Sequence, residues 1–293
     1  MESKPLARLL VVGAGMMGNQ IAELIARVGG YPVTMVDSIP GVPEKARAAI
    51  ADRMERFFVA KGKMTAAEKQ AVLDRIGTAE NIAAAARDAD FAIEAAVESL
   101  PVKQDIFRAL DASAPPRAIL ASNTSFQHIS EIAAATRRPE KVVGMHFFNP
   151  VALMRLVEIV KTAKTSTETI ATVSALAVKL GKEPVVCRDI SYGFLANRAY
   201  VAMQQEAVAM LAEKVAPPED IDRALVLGYN LPIGPLQLGD AVGAWSIWAS
   251  SEADAIRTLG PGKGSLHPLL KAMLGAGYVK IYDYWRDVLA KEA

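Results

Sequence analysis

One cysteine, Cys187, stands in a chain of 293 residues. That excludes an intramolecular disulfide and leads us to expect a buried structural thiol in a reducing compartment. No Lys/Arg block accompanies the formal net charge of +1, so neither nucleic acid nor an anionic membrane is implied as a partner. Long apolar runs are also missing. The run that opens the chain is short and broken by glycine, which excludes a secretion signal or a membrane span and makes a cytoplasmic location the expectation. Histidine is scarce, with only His128, His146 and His267, and no metal site is expected. The remainder is an ordinary globular balance, 52% hydrophobic and 22% charged, in a chain long enough for two domains.

The most informative stretch is residues 9–37, LLVVGAGMMGNQIAELIARVGGYPVTMVD. It contains an apolar strand, the sequence Gly13-Ala14-Gly15-Met16-Met17-Gly18, a helical segment, a second strand and a terminal acid, Asp37. This is the dinucleotide-binding fingerprint in its full βαβ context. Gly13 allows the tight turn out of the strand, Gly15 lets the backbone approach a pyrophosphate, and Gly18 lets the helix pack closely on the sheet. The helix N-terminus, with Met16 and Met17 in its first turn, offers free N–H groups to the phosphates. Asp37 follows the last glycine by about 20 residues, as a ribose contact requires. Its carboxylate accepts hydrogen bonds from the ribose hydroxyls and repels a 2′-phosphate, so NAD is favoured over NADP.

Strands and helices alternate over residues 1–187, the pattern of a parallel sheet covered on both faces. Strands are expected at 91–95, 118–121, 142–145, 156–160 and 184–187. Residues 43–82 are polar and helical, broken near Gly62, and too long for a plain crossover; a projecting helical hairpin is expected there. From residue 189 the strand signal stops. Helices are expected at 192–213 and 218–227, with a Gly/Pro loop at 228–235 and further helices to the end. The expected architecture is a doubly wound α/β Rossmann-type domain with a helical-hairpin insertion, residues 1–187, followed by an all-α domain, residues 188–293.

His146 lies in Gly144-Met145-His146-Phe147-Phe148-Asn149-Pro150, past the end of an expected strand, where open α/β sheets place their ligand crevice. Twelve positions on, Glu158 interrupts an apolar strand. A carboxylate buried there needs a partner, and an adjacent imidazole would serve. The pair would hold one imidazole tautomer and leave the other nitrogen for a substrate hydroxyl. A satisfied core histidine and a structural ion pair are the competing readings. Ser122-Asn123-Thr124-Ser125 follows another strand, and its hydroxyls could equally cap a helix.

The chain resembles the L-3-hydroxyacyl-CoA dehydrogenases, in particular the short bacterial 3-hydroxybutyryl-CoA type, over nearly its full length. The matching elements are GAGMMG, residues 93–98 (IEAAVE), SNTS, HFFNP, Leu156-Val157-Glu158, residues 193–198 (GFLANR) and residues 234–238 (GPLQL). The resemblance implies that His146 is the general base and Glu158 its orienting partner. It also implies that Ser125 bonds the substrate oxygen, that Asn197 helps hold the acyl group, and that Glu98, Lys103 and Asn123 contact NAD. Oxidation of a 3-hydroxyacyl-CoA to the 3-oxoacyl-CoA by a homodimer is thereby expected. Free 3-hydroxy acids as substrates and a non-catalytic nucleotide-binding protein are the alternatives. Arg53, Arg56, Lys61 and Lys63 lie in the insertion, a region the family uses to meet the CoA phosphates; a solvated helix face explains them equally well. Tyr192 replaces the family's usual proline, and Trp245, Trp248 and the closing segment also diverge. Core packing is the default for these aromatics, and a bulky or cyclic acyl group the sharper alternative.

Overall fold

The computed structural model describes residues 6–190 and 192–291, which divide into two compact units with the boundary between residues 189 and 190. The first unit is built on one eight-stranded sheet: β1 (Leu9–Val12), β2 (Val33–Val36), β3 (Ile76–Ala79), β4 (Phe91–Glu94), β5 (Ile119–Ser122), β6 (Val142–Phe147), β7 (Leu156–Lys161) and β8 (Glu183–Arg188). Their spatial order is β3-β2-β1-β4-β5-β6-β7-β8. The first six run parallel in the doubly wound order, with the strand order reversing between β1 and β4. Helices α1 (Met16–Arg27), α2 (Val42–Met54), α3 (Ala66–Leu73), α4 (Ile82–Ala86), α5 (Leu100–Ser113), α6 (Ile129–Ala133) and α7 (Thr167–Lys179) connect the strands.

The central strands are apolar up to their carboxyl ends because helices cover both faces. Leu9–Val12 is buried at every position, as is Phe91–Ile93. Full burial of each large aliphatic side chain contributes about 1.5–3 kcal/mol. Helix starts follow their caps. Thr65 and Glu68 form a reciprocal capping box at α3, and the Ser166 hydroxyl accepts from the Thr169 N–H at α7.

Several features depart from the sequence expectation: β6 continues through His146, which the sequence places past the strand's end. Residues 43–82 contain the two expected helices, with Gly62 at φ +64° between them, but they also contain β3. That strand sits at the sheet edge with only Ile76 buried, so no apolar run marks it. Arg47 of α2 donates to the carbonyls of Leu73 and Ile76, both at 3.0 Å, tying the insertion to this edge. A further departure is direction: β7 runs antiparallel to β6, and β8 runs parallel to β7. The connection over residues 148–155 is too short for a parallel crossover, which takes a dozen residues or more.

The second unit is helical: α8 (Ala196–Ala212), α9 (Pro218–Tyr229), α10 (Pro235–Val242), α11 (Ala244–Leu259), α12 (Pro261–Gly264), α13 (Pro268–Gly275) and α14 (Ile281–Asp287). The helix expected from residue 192 begins at Ala196, because Gly193 and Phe194 both have positive φ, +74° and +53°. Trp245, Leu236, Leu270 and Ile281 centre its core. Trp245 packs over Gly239, where a Cβ would lie 2.1 Å from the ring, and its Nε1 donates to Asp240 at 2.6 Å. Trp248 is buried in the same core, and Tyr192 is buried with its hydroxyl donating to Ser251 Oγ at 2.6 Å. No described helix is long and apolar enough to cross a membrane.

Candidate active site

The site grows out of the carboxyl ends of β1, β2, β4, β5 and β6. At β1 the chain turns through Gly13, at φ +94°, where a Cβ would meet the backbone of Ala95 at 2.7 Å. Gly18 is equally obligatory, since a Cβ there would lie 1.8 Å from the Gly13 carbonyl oxygen. Gly15 differs: a Cβ would meet nothing within 4 Å. The chain's own packing therefore gives no reason for glycine at that position, whereas a phosphate group lying against the backbone does. The N-terminus of α1 behind it carries no side-chain cap, leaving its N–H groups for an anion. Met16 is exposed on that first turn, and Met17 packs partly on the core. At the end of β2 the Asp37 carboxylate accepts from the N–H of Ala14 at 2.8 Å and from that of Ile39 at 3.0 Å, which anchors it beside the glycine turn. These groups fit a dinucleotide.

The second half of the site is a line of three side chains. Glu158 of β7 lies directly opposite His146 of β6 in the antiparallel register. Its Oε2 is 2.8 Å from His146 Nδ1, and the ring's Nε2 is 3.1 Å from Ser125 Oγ. Both His146 and Glu158 are buried. With Nδ1–H donated to the carboxylate, Nε2 carries the lone pair toward Ser125. The ring of Phe148 stands 4.6 Å from the imidazole, tilted against it.

Ser125 is held in turn by an acid–lysine network. Glu98 accepts from the N–H groups of Ser125 (3.0 Å) and Phe126 (2.9 Å) and from the Thr124 hydroxyl. Lys103 Nζ lies 3.2 Å from Glu98 and 2.8 Å from Glu94. Burial pushes the Glu98 carboxyl up, but the Lys103 charge and these donors outweigh it and hold Glu98 below the usual carboxylate range. Glu94, wholly buried, also accepts from Ser122 Oγ at 2.6 Å and the Ala96 N–H at 2.7 Å. The signal for Glu94 in the sequence is a charged residue closing an otherwise apolar strand. Asn123 Oδ1 accepts from the Phe147 N–H at 2.8 Å, joining the ends of β5 and β6.

The first unit thus brings together Gly13, Gly15, Gly18 and Asp37 at one end, and Glu98, Lys103, Asn123, Ser125, His146 and Glu158 at the other. Asn197 belongs to the second unit, half-buried in the first turn of α8. In the insertion, Arg53 is drawn to α1, with Glu23 at 2.6 Å and Asn19 Oδ1 at 3.0 Å. Arg56 and Lys61 instead flank the exposed ring of Phe57, at 5.6 and 5.4 Å from its centroid. Cys187 is buried, and burial together with the nearby Glu158 and Asp189 charges pushes its thiol up to about 11, leaving it inert as a nucleophile.

Comparison with known proteins agrees with this fold. The family model of the 3-hydroxyacyl-CoA dehydrogenase NAD binding domain matches residues 8–190, and that of the C-terminal domain matches residues 193–280. A probable 3-hydroxybutyryl-CoA dehydrogenase of Bacillus subtilis (strain 168) is 40% identical, over 95% of this chain and 98% of its own length. A 3-hydroxybutyryl-CoA dehydrogenase of Clostridioides difficile is 38% identical over 94% of this chain and 99% of its own. The crystal structure of (S)-3-hydroxybutyryl-CoA dehydrogenase PaaH1 from Ralstonia eutropha superposes with a TM-score of 0.88 at 36% identity, covering 94% of this chain and 99% of that one. With an NAD-binding first domain and a helical second domain both matched, the chain belongs to the 3-hydroxyacyl-CoA dehydrogenase family.

Proposed function

We propose that this protein oxidises a 3-hydroxyacyl-CoA reversibly to the 3-oxoacyl-CoA. The observation that carries the reading is the line Ser125–His146–Glu158, with Nε2 of a buried imidazole aimed at a hydroxyl and Nδ1 at a carboxylate. Gly13, Gly15, Met16, Met17, Gly18, Asp37, Glu98 and Asn123 hold NAD, with Lys103 supporting Glu98. Bound NAD supplies a hydride acceptor for the substrate C3. Ser125 orients the C3 hydroxyl, His146 Nε2 accepts its proton, and Glu158 stabilises the resulting imidazolium. In the reductive direction the imidazolium returns that proton to the 3-oxo group. A well-placed base contributes about 10²–10⁴-fold to the rate. For Asn197, in the first turn of α8, the family resemblance supports a role in holding the acyl group.

The exposed Phe57 ring between Arg56 and Lys61 supports a CoA thioester over a free acid. A flat apolar face flanked by two cations suits an adenine ring and its phosphates. The helix there widens to a π turn over Glu55–Val59, a distortion frequent at functional sites. Exposed Leu227, Tyr229, Val242 and Ile247 on the second domain support a homodimer formed through that domain. The buried lone thiol fits a cytoplasmic setting.

The test is NADH consumption with 3-oxoacyl-CoA thioesters of increasing acyl bulk, alongside the matched CoA-free acids. Turnover of a thioester is expected. Turnover of the free acids alone would move the reading to a hydroxy-acid dehydrogenase, and silence with both alongside tight NADH binding would leave a non-catalytic protein.

A further inference from the structure

The hairpin that follows His146 is gripped from two sides at one residue. Residues 150–154 make a single helical turn in which the N–H groups of Leu153 and Met154 both reach the Pro150 carbonyl at 3.0 Å. From α1, Gln20 Oε1 accepts the Val151 N–H at 3.0 Å, while its Nε2 donates to Asn149 Oδ1 at 3.2 Å and to Met16 O at 3.0 Å. From the turn between α7 and β8, Lys182 Nζ donates to the Val151 carbonyl and to that of Met154, the latter at 2.8 Å. The Val151 side chain is itself buried in the core. Its N–H, its C=O and its side chain are therefore all engaged, five residues beyond the catalytic histidine.

Lys182 is an expensive residue for this place. It is buried, its acceptors are main-chain carbonyls and not a carboxylate, and burial together with the like charge of Arg27 lowers its pKa. Packing the same volume with an apolar side chain would cost the fold less. What the ammonium adds is direction, since its donors converge on carbonyls at one end of the turn and fix where that turn stops.

We infer that Lys182 and Gln20 are positioning residues that clamp Val151 from opposite sides and so hold the β6–β7 hairpin, and with it His146 and Phe148, in the reactive arrangement. This rests on the proposed dehydrogenase reading, because it is the proton transfer at His146 Nε2 that the clamp serves. Neither residue touches the reacting atoms. Their effect passes through main-chain geometry, where a shift of about 1 Å costs on the order of 10²-fold in rate.

The experiment compares full-length wild type with Lys182→Met and Gln20→Leu. It measures kcat and KM for a 3-oxoacyl-CoA with NADH, the NADH Kd by fluorescence, and amide exchange of the peptide spanning residues 148–155. Each variant is expected to lose about ten- to hundredfold in kcat, with NADH Kd within about threefold of wild type and faster exchange confined to the hairpin. Wild-type kcat in either variant, or unchanged exchange of the hairpin, overturns the clamp. Equal losses in NADH binding and kcat, with exchange raised throughout the domain, would overturn it in favour of a general stability role. Gln20 is only half-buried, so Gln20→Leu decides the matter if Lys182→Met does not fold. If the wild type itself turns over no thioester, the proposed function fails, and the exchange measurement still decides whether the clamp exists.

Discussion

His146 and Glu158 face each other across the antiparallel ladder of the sheet, with Nδ1 and Oε2 2.8 Å apart. Directly opposed residues on antiparallel strands share a face, with Cβ atoms about 4.5–5.5 Å apart. The pairing register therefore aims the carboxylate at the imidazole without help from any loop. We expect Glu158→Gln to lower kcat by about 10²–10⁴-fold, because a carboxamide can donate to Nδ1 and leave the proton on Nε2, the wrong tautomer for a base. His146→Gln is expected to abolish turnover with NADH binding nearly intact. Steady-state rates beside NADH fluorescence titration check both, and turnover comparable to wild type in the His146 variant would remove the assignment.

Gly13 and Gly15 look alike in sequence but should fail differently. Gly13→Ala places a Cβ within 2.7 Å of the Ala95 backbone at a φ of +94°, so loss of folded protein is expected, read as a lower Tm or insoluble expression. Gly15→Ala meets no atom of the chain; it should fold with a wild-type Tm and bind NADH at least about tenfold more weakly, because the methyl occupies space meant for the pyrophosphate.

Asp37 should set cofactor choice. Its carboxylate stands beside the glycine turn through the Ala14 N–H. Asp37→Ala is expected to raise KM for NAD by about tenfold, the worth of a charge-assisted hydrogen bond, and to narrow the preference over NADP by removing the repulsion of the 2′-phosphate. The ratio of kcat/KM for the two cofactors measures it; an unchanged ratio counts against the ribose contact.

Two carboxylates make the first domain acid-sensitive. Burial raises Asp111, but hydrogen bonds from Arg137 and Arg138 outweigh it. Burial likewise raises Asp90, which is outweighed by Arg117 and the N–H groups of Ala7 and Arg8, so both lie below the ordinary value. A lowered folded-state pKa contributes stability that is complete above the unfolded value, about 3.9 for aspartate, and is lost as pH falls through the lowered one. Urea unfolding from pH 7 downward should show stability falling in that acid range, and Asp111→Asn should flatten the fall while lowering stability at neutral pH. A pH profile identical to wild type would mean the pair contributes nothing.

Much of this site could be read from order along the chain. The dinucleotide loop is local: strand, glycines, helix and acid follow one another within 29 residues (9–37), and the physical demand on each glycine acts through near neighbours. The helical character of the second domain was legible for the same reason. β3 was not, because an edge strand with one buried side chain leaves no apolar signature. The reversal of β7 follows from the length of the 148–155 connection, but only once both flanking strands are known.

The sequence by itself determined the fold class, the cofactor loop and the presence of a histidine and a glutamate in strands that could not leave a charge unpaired. Tertiary structure decided which groups meet. The antiparallel turn sets Glu158 across from His146, the β5 end brings Ser125 to the other ring nitrogen, and the network Glu94–Lys103–Glu98 fixes the loop that carries it. Such contacts join residues far apart in the chain, so they depend on strand order and register. Those are properties of the packed sheet as a whole and not of any segment within it.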